Sequence, residues 1–590
     1  MAQLQEWIYQ FEEGKGAKAI KIGVALLAFA ALAVVYEFRL YKNFATEEAM
    51  DSAQLARNLA EGKGYTTQFI RPLSIYLVRN ARADHDPLLK SPHPDLANPP
   101  VYPLLLAGWM KILPFHYPIP DAAKAEFRTY QPEVLIAILN QGFYLLAALL
   151  LFFVARTVFD NQVATLSTVL FILADLFWRF SVSGLSTMFL VVVVLGIFLV
   201  LTRIEQGTRA DGEPRGGRRM AQAALLGVLL GMGMLTRYSV GWLVFPVLVF
   251  LGLFAGRHRV LTGAVTGLVF LLVVSPWLVR NYHLSGRLFG TAGYAMEELS
   301  VPFPDNTLPR SLNPEENLKN IDLGEFRRKL TINLREALQN DLPKMSGSWL
   351  TAFFLVSLCL PFKNPSASRV RLFLIFSLAI LLVVQCLGKT HLSADAPEIN
   401  SENLLVLLAP MVFVFGSALF FILVDQFTLP VPELRVVATV LFGAVASAAL
   451  IFNLSPPRSY AIAYPPYYPP FIQRSATWMG VEETLMSDMP WAVAWYGRRQ
   501  CVWITRNFRK DFFTINDEMK PIQALYLTPR TTDSKFLAQM IKDRDGWGRF
   551  TLECFTKGEV MTGFPLTRMY AYWLPDQLFL TDWERWKREK

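Results

Sequence analysis

Apolar runs long enough to cross a lipid bilayer recur along this chain, and they constrain its fold more than any other feature. A crossing helix needs roughly 20 mostly apolar residues, because the hydrocarbon core is about 30 Å thick. Only 18% of the residues are charged, against about 25% in soluble domains. The sequence predicts an α-helical polytopic membrane protein with about eleven spans, at residues 20–37, 133–155, 162–178, 185–202, 221–236, 240–256, 259–279, 347–362, 370–387, 402–424 and 436–454.

The basic residues between these runs predict which ends lie together. Cytoplasmic loops of membrane proteins carry an excess of Lys and Arg. Alternation of the spans places the basic loops on one side, and this accounts for the net charge of +9 better than nucleic-acid binding does. The N-terminus is therefore predicted to be cytoplasmic, together with Lys15, Lys18, Lys21, Arg203, Arg209, Arg215, Arg218, Arg219, Arg257, Arg259, Lys363, Arg369 and Arg371.

The same alternation predicts three large extracytoplasmic segments, at residues 38–132, 280–346 and 455–590. The run 101–113 is too short to cross and is expected in the interface. The first apolar run is expected to be a retained helix, with a cleaved signal peptide as the alternative. Residues 1–454 would form the transmembrane domain.

Residues 455–590 change in character after an extended Pro-rich and Tyr-rich spacer at 464–470. Short helical and strand patterns alternate there, which predicts a small α/β domain. Cys359 and Cys386 lie in apolar runs, and Cys501 and Cys554 lie in this domain, where a disulfide is a secondary alternative. The predicted helices are 491–496 and 536–541, and the predicted strands are 502–505 and 524–527.

A cluster of carboxylates follows the first apolar run. Glu47, Glu48 and Asp51 share one face of an apparent helix that runs to Leu59, because residues three and four apart are neighbours on a helix. A carboxylate near a membrane surface can act as a general base toward a hydroxyl. The plainer interpretation is that these acids complement the helix dipole, with Thr46 as the N-cap.

Basic residues recur at the predicted outer ends of the spans. Arg280 and Asn281 close the segment Ser275–Asn281, behind what is expected to be a proline-ended helix. Arg237 and Lys389 lie at other predicted outer edges. Fixed cations can hold a phosphate and stabilise it as a leaving group. The alternative is that they reach for the lipid headgroups. His391 follows Lys389 in the same loop.

Other polar residues are expected to have structural or surface roles. Asp175 and Arg179 are predicted to form an ion pair. The histidines of the first outer loop, His85, His93 and His116, are expected to be surface residues, with a metal site that includes Glu48 as the alternative.

Several motifs together resemble the GT-C class of polyprenyl-phosphate-dependent glycosyltransferases, the branch of protein O-mannosyltransferases and lipid A aminoarabinose transferases. Their order along the chain is more specific than any one of them. The matching stretches are Glu48 to Leu59 with Glu61–Tyr65, Asn98–Leu104, Leu235–Arg237, Pro276–Asn281 and Asp488–Arg499.

The resemblance implies an inverting glycosyltransferase that uses a polyprenyl-phosphate sugar. Glu48 occupies the position of the family's catalytic aspartate, and Asp51, one turn later, is the other candidate base. Arg280 would bind the donor phosphate, assisted by Arg237 or Lys389. The chain departs from the family twice more: residues 183–187 lack a second acid, and Glu402–Asn403 stand where relatives often have Arg-Tyr.

The sequence therefore predicts an enzyme of the bacterial inner (plasma) membrane. Its partners would be a polyprenyl-phosphate-linked sugar and a lipid, glycan or protein acceptor, without nucleic acid. No cofactor is required by the sequence, and a divalent metal is an open alternative. Two alternative hypotheses are a transporter or flippase of a lipid-linked glycan and a catalytically silent scaffold. The sequence shows no evident internal repeats or broken mid-membrane helices, which are typical of transporters.

Overall fold

A computed structural model gives the architecture of the chain. It describes all residues except 1–14, 42, 83–85, 87, 120–126, 210–215, 347–348, 396–398, 428–430, 432, 456–466, 533–545, 571–576 and 590. Arg215, His85, the first part of the Pro-rich spacer and the predicted helix 536–541 therefore lie outside the described residues.

Each predicted span is helical in the structure. The helices are α1 Lys15–Leu40, α5 Gln131–Val158, α6 Asn161–Ile172, α7 Asp175–Val182, α8 Thr187–Arg209, α9 Gly216–Met234, α10 Val244–Phe254, α11 Arg259–Ser285, α14 Trp349–Cys359, α15 Pro365–Gly388, α17 Ala409–Gln426, α18 Glu433–Ala446 and α19 Ala448–Leu454. Among the described residues, six helices are long and apolar enough to cross a bilayer, or up to eight if each bent pair is one span. The chain is a multi-pass membrane protein, and the count of eleven stays a prediction.

Some predicted spans are not single straight helices. The run 162–178 is divided into α6 and α7, which meet at 54°, and the run 436–454 into α18 and α19, which meet at 57°. The run 240–256 begins as a 3-10 helix, Tyr238–Leu243, and the run 402–424 begins with another, Leu404–Leu407. Hydropathy averages over such breaks, so the sequence pattern did not reveal them.

The prediction of a proline-ended helix before Arg280 is wrong. Pro276 lies inside α11, which continues to Ser285 and ends where Gly286 adopts a left-handed backbone with φ of 67°. A proline removes one backbone donor, yet a membrane helix can tolerate this. Glycine, which has no Cβ, accepts the left-handed conformation without strain and so sets the helix end.

Loops predicted on the basic side contact one another. The buried carboxylate of Glu205 accepts hydrogen bonds from Ser366 Oγ at 2.7 Å and Arg369 Nη1 at 2.6 Å. Asn364 Nδ2 donates to the carbonyl of Val158 at 2.6 Å, and Thr208 Oγ1 donates to that of Phe254 at 3.2 Å. Loops after the second, fourth, sixth and eighth predicted spans thus meet, as alternation requires.

The three predicted outer segments also pack together. Residues 38–132 contain α2 Glu47–Ala60, α3 Pro72–Ala81 and α4 Val101–Ile112, and residues 280–346 contain α12 Glu315–Leu318 and α13 Leu323–Glu336. Arg310 donates to the carbonyls of Ile504 at 2.8 Å and Thr505 at 3.0 Å. The remaining helices are α16 Leu392–Asp395, α20 Pro469–Thr477, α21 Pro490–Ala492, α22 Phe508–Phe513, α23 Pro529–Thr532 and α24 Trp547–Lys557.

The C-terminal region contains the expected α/β unit, and its sheet extends into the first outer segment. The described strands are β1 Thr66–Thr67, β2 Phe69–Ile70, β3 His93–Pro94, β4 Thr484–Ser487, β5 Gln500–Trp503, β6 Ile522–Leu527, β7 Arg568–Met569 and β8 Leu578–Thr581. The larger sheet has the order β2-β5-β4-β6-β8-β7, with parallel β2, β5, β4 and β6. Strand β2 therefore ties residues 69–70 to the C-terminal unit. Cys501 and Cys554 are both buried and free, so the disulfide alternative is wrong.

Candidate active site

Helix α2 presents the predicted acids where several outer loops meet. Thr46 caps the helix by accepting a hydrogen bond from the Ala49 backbone amide at 3.4 Å, as the sequence predicted. Arg57, at the other end, is 1% exposed and donates to the carbonyls of Ala494 and Trp495, both at 2.7 Å. A capped start and a buried anchor fix the helix against the C-terminal unit.

Asp51 is buried in a complete set of donors. Its Oδ2 accepts from Arg71 Nη2 at 2.9 Å and from Asn98 Nδ2 at 2.7 Å, and its Oδ1 accepts from Gln54 Nε2 at 3.0 Å. The Asp51 side chain is 1% exposed. The carboxylate therefore lies inside the protein and joins α2 to residues 71 and 98.

Glu48 is the most accessible of the three acids. Its side chain is 23% exposed, against 1% for Glu47 and for Asp51. Glu48 Oε1 accepts from Arg237 Nη2 at 2.5 Å, and its Oε2 accepts from Ser401 Oγ. Glu48 and Arg237, two sequence-predicted residues, are therefore in direct contact on a partly open surface.

Glu402 lies close to this pair and is partly buried. It accepts from the Thr390 backbone amide at 3.0 Å and from Thr390 Oγ1 at 2.7 Å. The pKa of the Glu402 carboxyl is raised overall, chiefly by burial and also by neighbouring Glu48, although the hydrogen bonds from Thr390 lower it. The position at which the family resemblance expected Arg-Tyr thus supplies an acid beside Glu48 and Arg237.

Glu47 connects the helix to the loop that contains His391. Glu47 Oε2 lies 3.4 Å from His391 Nε2, and the other ring nitrogen of His391 contacts the carboxylate of Glu298. Burial alone would lower the pKa of His391, but the carboxylates of Glu298 and Glu47 raise it well above its ordinary value. Although burial opposes ionisation, the pKa of Glu47 is lowered through His391 and Arg71. The two side chains form a buried charged link across the site.

Among the described residues, Arg280 forms no hydrogen bond or ion pair with Glu48 or Arg237. Its Nη1 donates to the Asp95 carbonyl at 2.8 Å and to Asn281 Oδ1 at 2.9 Å, and its guanidinium lies 4.5 Å from the Trp277 ring centroid. Arg280 thus supports the loop of Asp95, whose own side chain accepts from the Asn98 amide at 2.8 Å. Burial and nearby Asp51 raise the pKa of Asp95 to about 6. A phosphate role for Arg280 stays a prediction.

Lys389 pairs with Glu336 at 2.6 Å, and its role toward phosphate also stays a prediction.

The predicted pair of Asp175 and Arg179 is confirmed at 2.7 Å. Contrary to expectation, His93 is buried, within 2.9 Å of Ser74 Oγ, whereas His116 is exposed. Among the described residues no group of three His, Cys, Asp or Glu side chains could hold a metal ion, and the predicted possibility of a divalent metal stays untested.

Sequence reasoning missed most partners of the acids. Five residues around the acids were not identified from the sequence, because each lies far from α2 in the chain or outside any charge pattern. They are Arg71, Asp95, Asn98, Glu298 and Ser401. The one available signal was Asn98, which opens a motif that carried the family resemblance.

Comparison with known proteins supports the fold. A family model described as dolichyl-phosphate-mannose-protein mannosyltransferase matches residues 129–279. No curated protein matches the chain by sequence. The archaeal oligosaccharyltransferase AglB from Archaeoglobus fulgidus, in complex with an inhibitory peptide and a dolichol-phosphate, has a similar structure with a TM-score of 0.53 and 11% identity, over 88% of this chain and 70% of that chain.

A second structure of the Archaeoglobus fulgidus oligosaccharyltransferase, tethered with an acceptor peptide, gives a TM-score of 0.52 at 11% identity, over 98% of this chain and 75% of that chain. At such low sequence identity the similarity establishes the fold alone. The roles of individual site residues are argued from their own contacts in this structure. The chain therefore has the fold of the GT-C class of glycosyltransferases, as its sequence motifs predicted.

Proposed function

We propose that the protein is a membrane glycosyltransferase that moves a sugar from a polyprenyl-phosphate donor to an acceptor hydroxyl on the extracytoplasmic side. The observation that carries this proposal is the contact between Glu48 and Arg237. It places a partly exposed carboxylate and a fixed cation side by side at a convergence of outer loops. Those are the two groups that sugar transfer from a lipid phosphate needs.

Glu48 is the proposed general base. The acceptor hydroxyl gives its proton to the Glu48 carboxylate while its oxygen attacks the anomeric carbon of the donor sugar. The bond between that carbon and the phosphate oxygen breaks with inversion, and polyprenyl phosphate leaves. Asp51 is the weaker candidate, since its carboxylate is 1% exposed and already accepts from Arg71, Asn98 and Gln54.

Arg237 is the proposed contact to the donor phosphate. A guanidinium can stabilise the negative charge that develops on a leaving phosphate. This guanidinium pairs with Glu48. A bound phosphate competes with Glu48 for Arg237, so donor binding also releases the base for the acceptor.

The buried charges behind the pair have a positioning role in this proposal. Arg71 bridges Glu47 at 3.1 Å and Asp51 at 2.9 Å, and His391 joins Glu47 to Glu298. Breaking such buried pairs is costly, so the network holds α2 in one place. A rigid support of this kind keeps a catalytic side chain within the small tolerance that catalysis requires.

The proposed location is the bacterial inner membrane, with a cytoplasmic N-terminus and an extracytoplasmic C-terminal unit. The meeting of the basic loops on one face and of the predicted outer segments on the other supports this orientation. The proposed partners are a polyprenyl-phosphate-linked sugar and a lipid, glycan or protein acceptor. No described contact favours the alternative of a transporter or flippase.

A transfer assay tests the proposal. Purified protein in lipid is given radiolabelled polyprenyl-phosphate sugars and an envelope extract as acceptor, and label in the product is counted. Wild type should transfer at least one sugar, Arg237→Ala should lose about 100-fold in rate, and Glu61→Gln, at the exposed end of α2, should behave as wild type. Label that crosses the membrane without covalent transfer would instead identify a flippase.

A further inference from the structure

A cavity of about 520 Å³ lies beside the candidate active site, between the end of α11 and helices α12 and α13. Its walls are mainly aromatic and aliphatic, with two charged side chains. The lining includes Tyr282, Phe289, Tyr294, Phe326, Arg287 and Glu297. The volume is within the range of about 300–1,000 Å³ that is usual for small-molecule sites.

Two residues of the cavity lining adjoin neighbours of the candidate site residues. The Phe289 ring packs edge-to-face on Tyr238 with a centroid distance of 5.3 Å, and Tyr238 directly follows Arg237. On another side, Glu297 precedes Glu298, whose carboxylate contacts His391. The cavity is therefore connected to the candidate active site through Tyr238 and Glu298.

The polar groups of the cavity indicate what it would bind. Glu297 Oε2 is buried and has no hydrogen-bond partner among the described residues. Burial raises the pKa of this carboxyl, the sign of a carboxylate whose water has been removed without full replacement. Arg287 is exposed, with its guanidinium 5.3 Å from the Tyr294 ring centroid. As lining residues, Glu297 and Arg287 offer the cavity a hydrogen-bond acceptor and hydrogen-bond donors.

The backbone on the cavity wall leaves room for such a ligand. A Cβ at Gly286 would meet no atom within 4 Å, and one at Gly293 would meet only Phe289 Cβ at 3.8 Å. Lys329 Nζ donates to the carbonyls of Ala295 at 2.7 Å and Glu298 at 2.6 Å, which fixes the turn that contains Glu297. The backbone on both sides of Glu297 is therefore held in place.

From these observations we infer that this cavity is a sugar-binding subsite, an inference that rests on the proposed glycosyltransferase function. The apolar faces of a sugar ring pack on aromatic side chains, and its hydroxyls donate to a carboxylate and accept from a guanidinium. An isoprenoid chain would leave the charges of Glu297 and Arg287 without a polar partner, because it has no polar atoms. The sugar belongs either to the donor or to a glycan acceptor.

Two variants test the subsite by different means. Gly293→Leu places a side chain in the cavity, and Glu297→Gln removes the charge but keeps the shape. Gly293→Ala and Glu316→Gln, an exposed acid on α12, are the matched controls. Transfer rates are measured against the concentration of the polyprenyl-phosphate sugar and, separately, of the envelope acceptor.

Both variants should raise one KM by about tenfold with kcat within threefold, and the controls should match wild type. A change in the donor KM assigns the donor sugar, and a change in the acceptor KM assigns an acceptor glycan. Binding of polyprenyl phosphate without sugar, followed by thermal shift, should be unchanged. Weaker binding of this sugar-free lipid to Gly293→Leu would overturn the inference in favour of an isoprenoid site.

A second measurement separates this inference from the proposed function. Saturation-transfer NMR with free lactose, maltose and chitobiose reports sugar contact without catalysis. A signal in wild type that Gly293→Leu removes supports the subsite even if no sugar is transferred, a result that would count against the proposed function alone. If transfer occurs but neither KM nor any sugar signal responds to Gly293→Leu, the subsite is refuted and the proposed function stands.

Discussion

Replacing Glu48 with Gln should tighten the binding of polyprenyl phosphate, although the same change should abolish transfer. Glu48 pairs with Arg237 at 2.5 Å, so a phosphate that binds Arg237 must displace it. Two unit charges about 4 Å apart attract by roughly 4 kcal/mol at an effective dielectric constant near 20. The two side chains are 16% and 23% exposed, and solvent screening reduces that figure. A remaining gain of about 1.4 kcal/mol corresponds to about tenfold in Kd.

The assay is titration of undecaprenyl phosphate into detergent-solubilised protein, followed by intrinsic tryptophan fluorescence. Glu48→Gln should bind about tenfold more tightly than wild type. Asp51→Asn is the matched control, since Asp51 pairs with Arg71 instead, and it should show no gain. Arg237→Ala should bind more weakly than either. If Glu48→Gln binds as wild type does, or more weakly, the competition between Glu48 and phosphate for Arg237 is refuted.

Three further predictions concern stability, and thermal unfolding in detergent measures each. Arg57→Met should cost about 3–5 kcal/mol, because the buried carbonyls of Ala494 and Trp495 lose their donor; an unchanged midpoint would contradict this anchor. Gly184→Ala should cost about 2 kcal/mol, since φ is +78° and the new Cβ would collide with the Phe44 ring; Gly142→Ala, with open space, is its control. Burial lowers the pKa of His93 to about 3, so the unfolded chain binds the proton more readily and stability falls as pH drops below about 6.5. Between pH 7 and pH 5 this histidine should cost about 2 kcal/mol, and His93→Gln should reduce the acid sensitivity by that amount.

Local features of the fold could be predicted from the sequence because their causes are local. The cap at Thr46, the start of α2 and the pair of Asp175 and Arg179 depend on residues at most four apart. Which loops meet at one end of the helices also followed, because span alternation is read along the chain. Their orientation across the membrane stays a prediction. Breaks such as Leu173–Ala174 within an apolar run leave no comparable mark.

The partners of the acids could not be predicted, because they come from distant segments. Glu48 meets Arg237 and Ser401, and Glu47 meets His391, only after the membrane helices bring those loops together. The sequence named Arg237 as one of several outer cations without a reason to prefer it to Arg280. Strand β2, with two residues, carries no alternation pattern from which its pairing with β5 could be read.

Glu48 is the proposed base of a sugar transfer from a polyprenyl-phosphate donor. The single-turnover rate of Glu48→Gln, measured with saturating donor and acceptor beside wild type and Glu61→Gln, tests this role. Glu48→Gln should lose about 10²–10⁴-fold in rate with an unfolding midpoint like that of wild type, and Glu61→Gln should have a normal rate. A rate in Glu48→Gln within threefold of wild type would show that Glu48 is not the base.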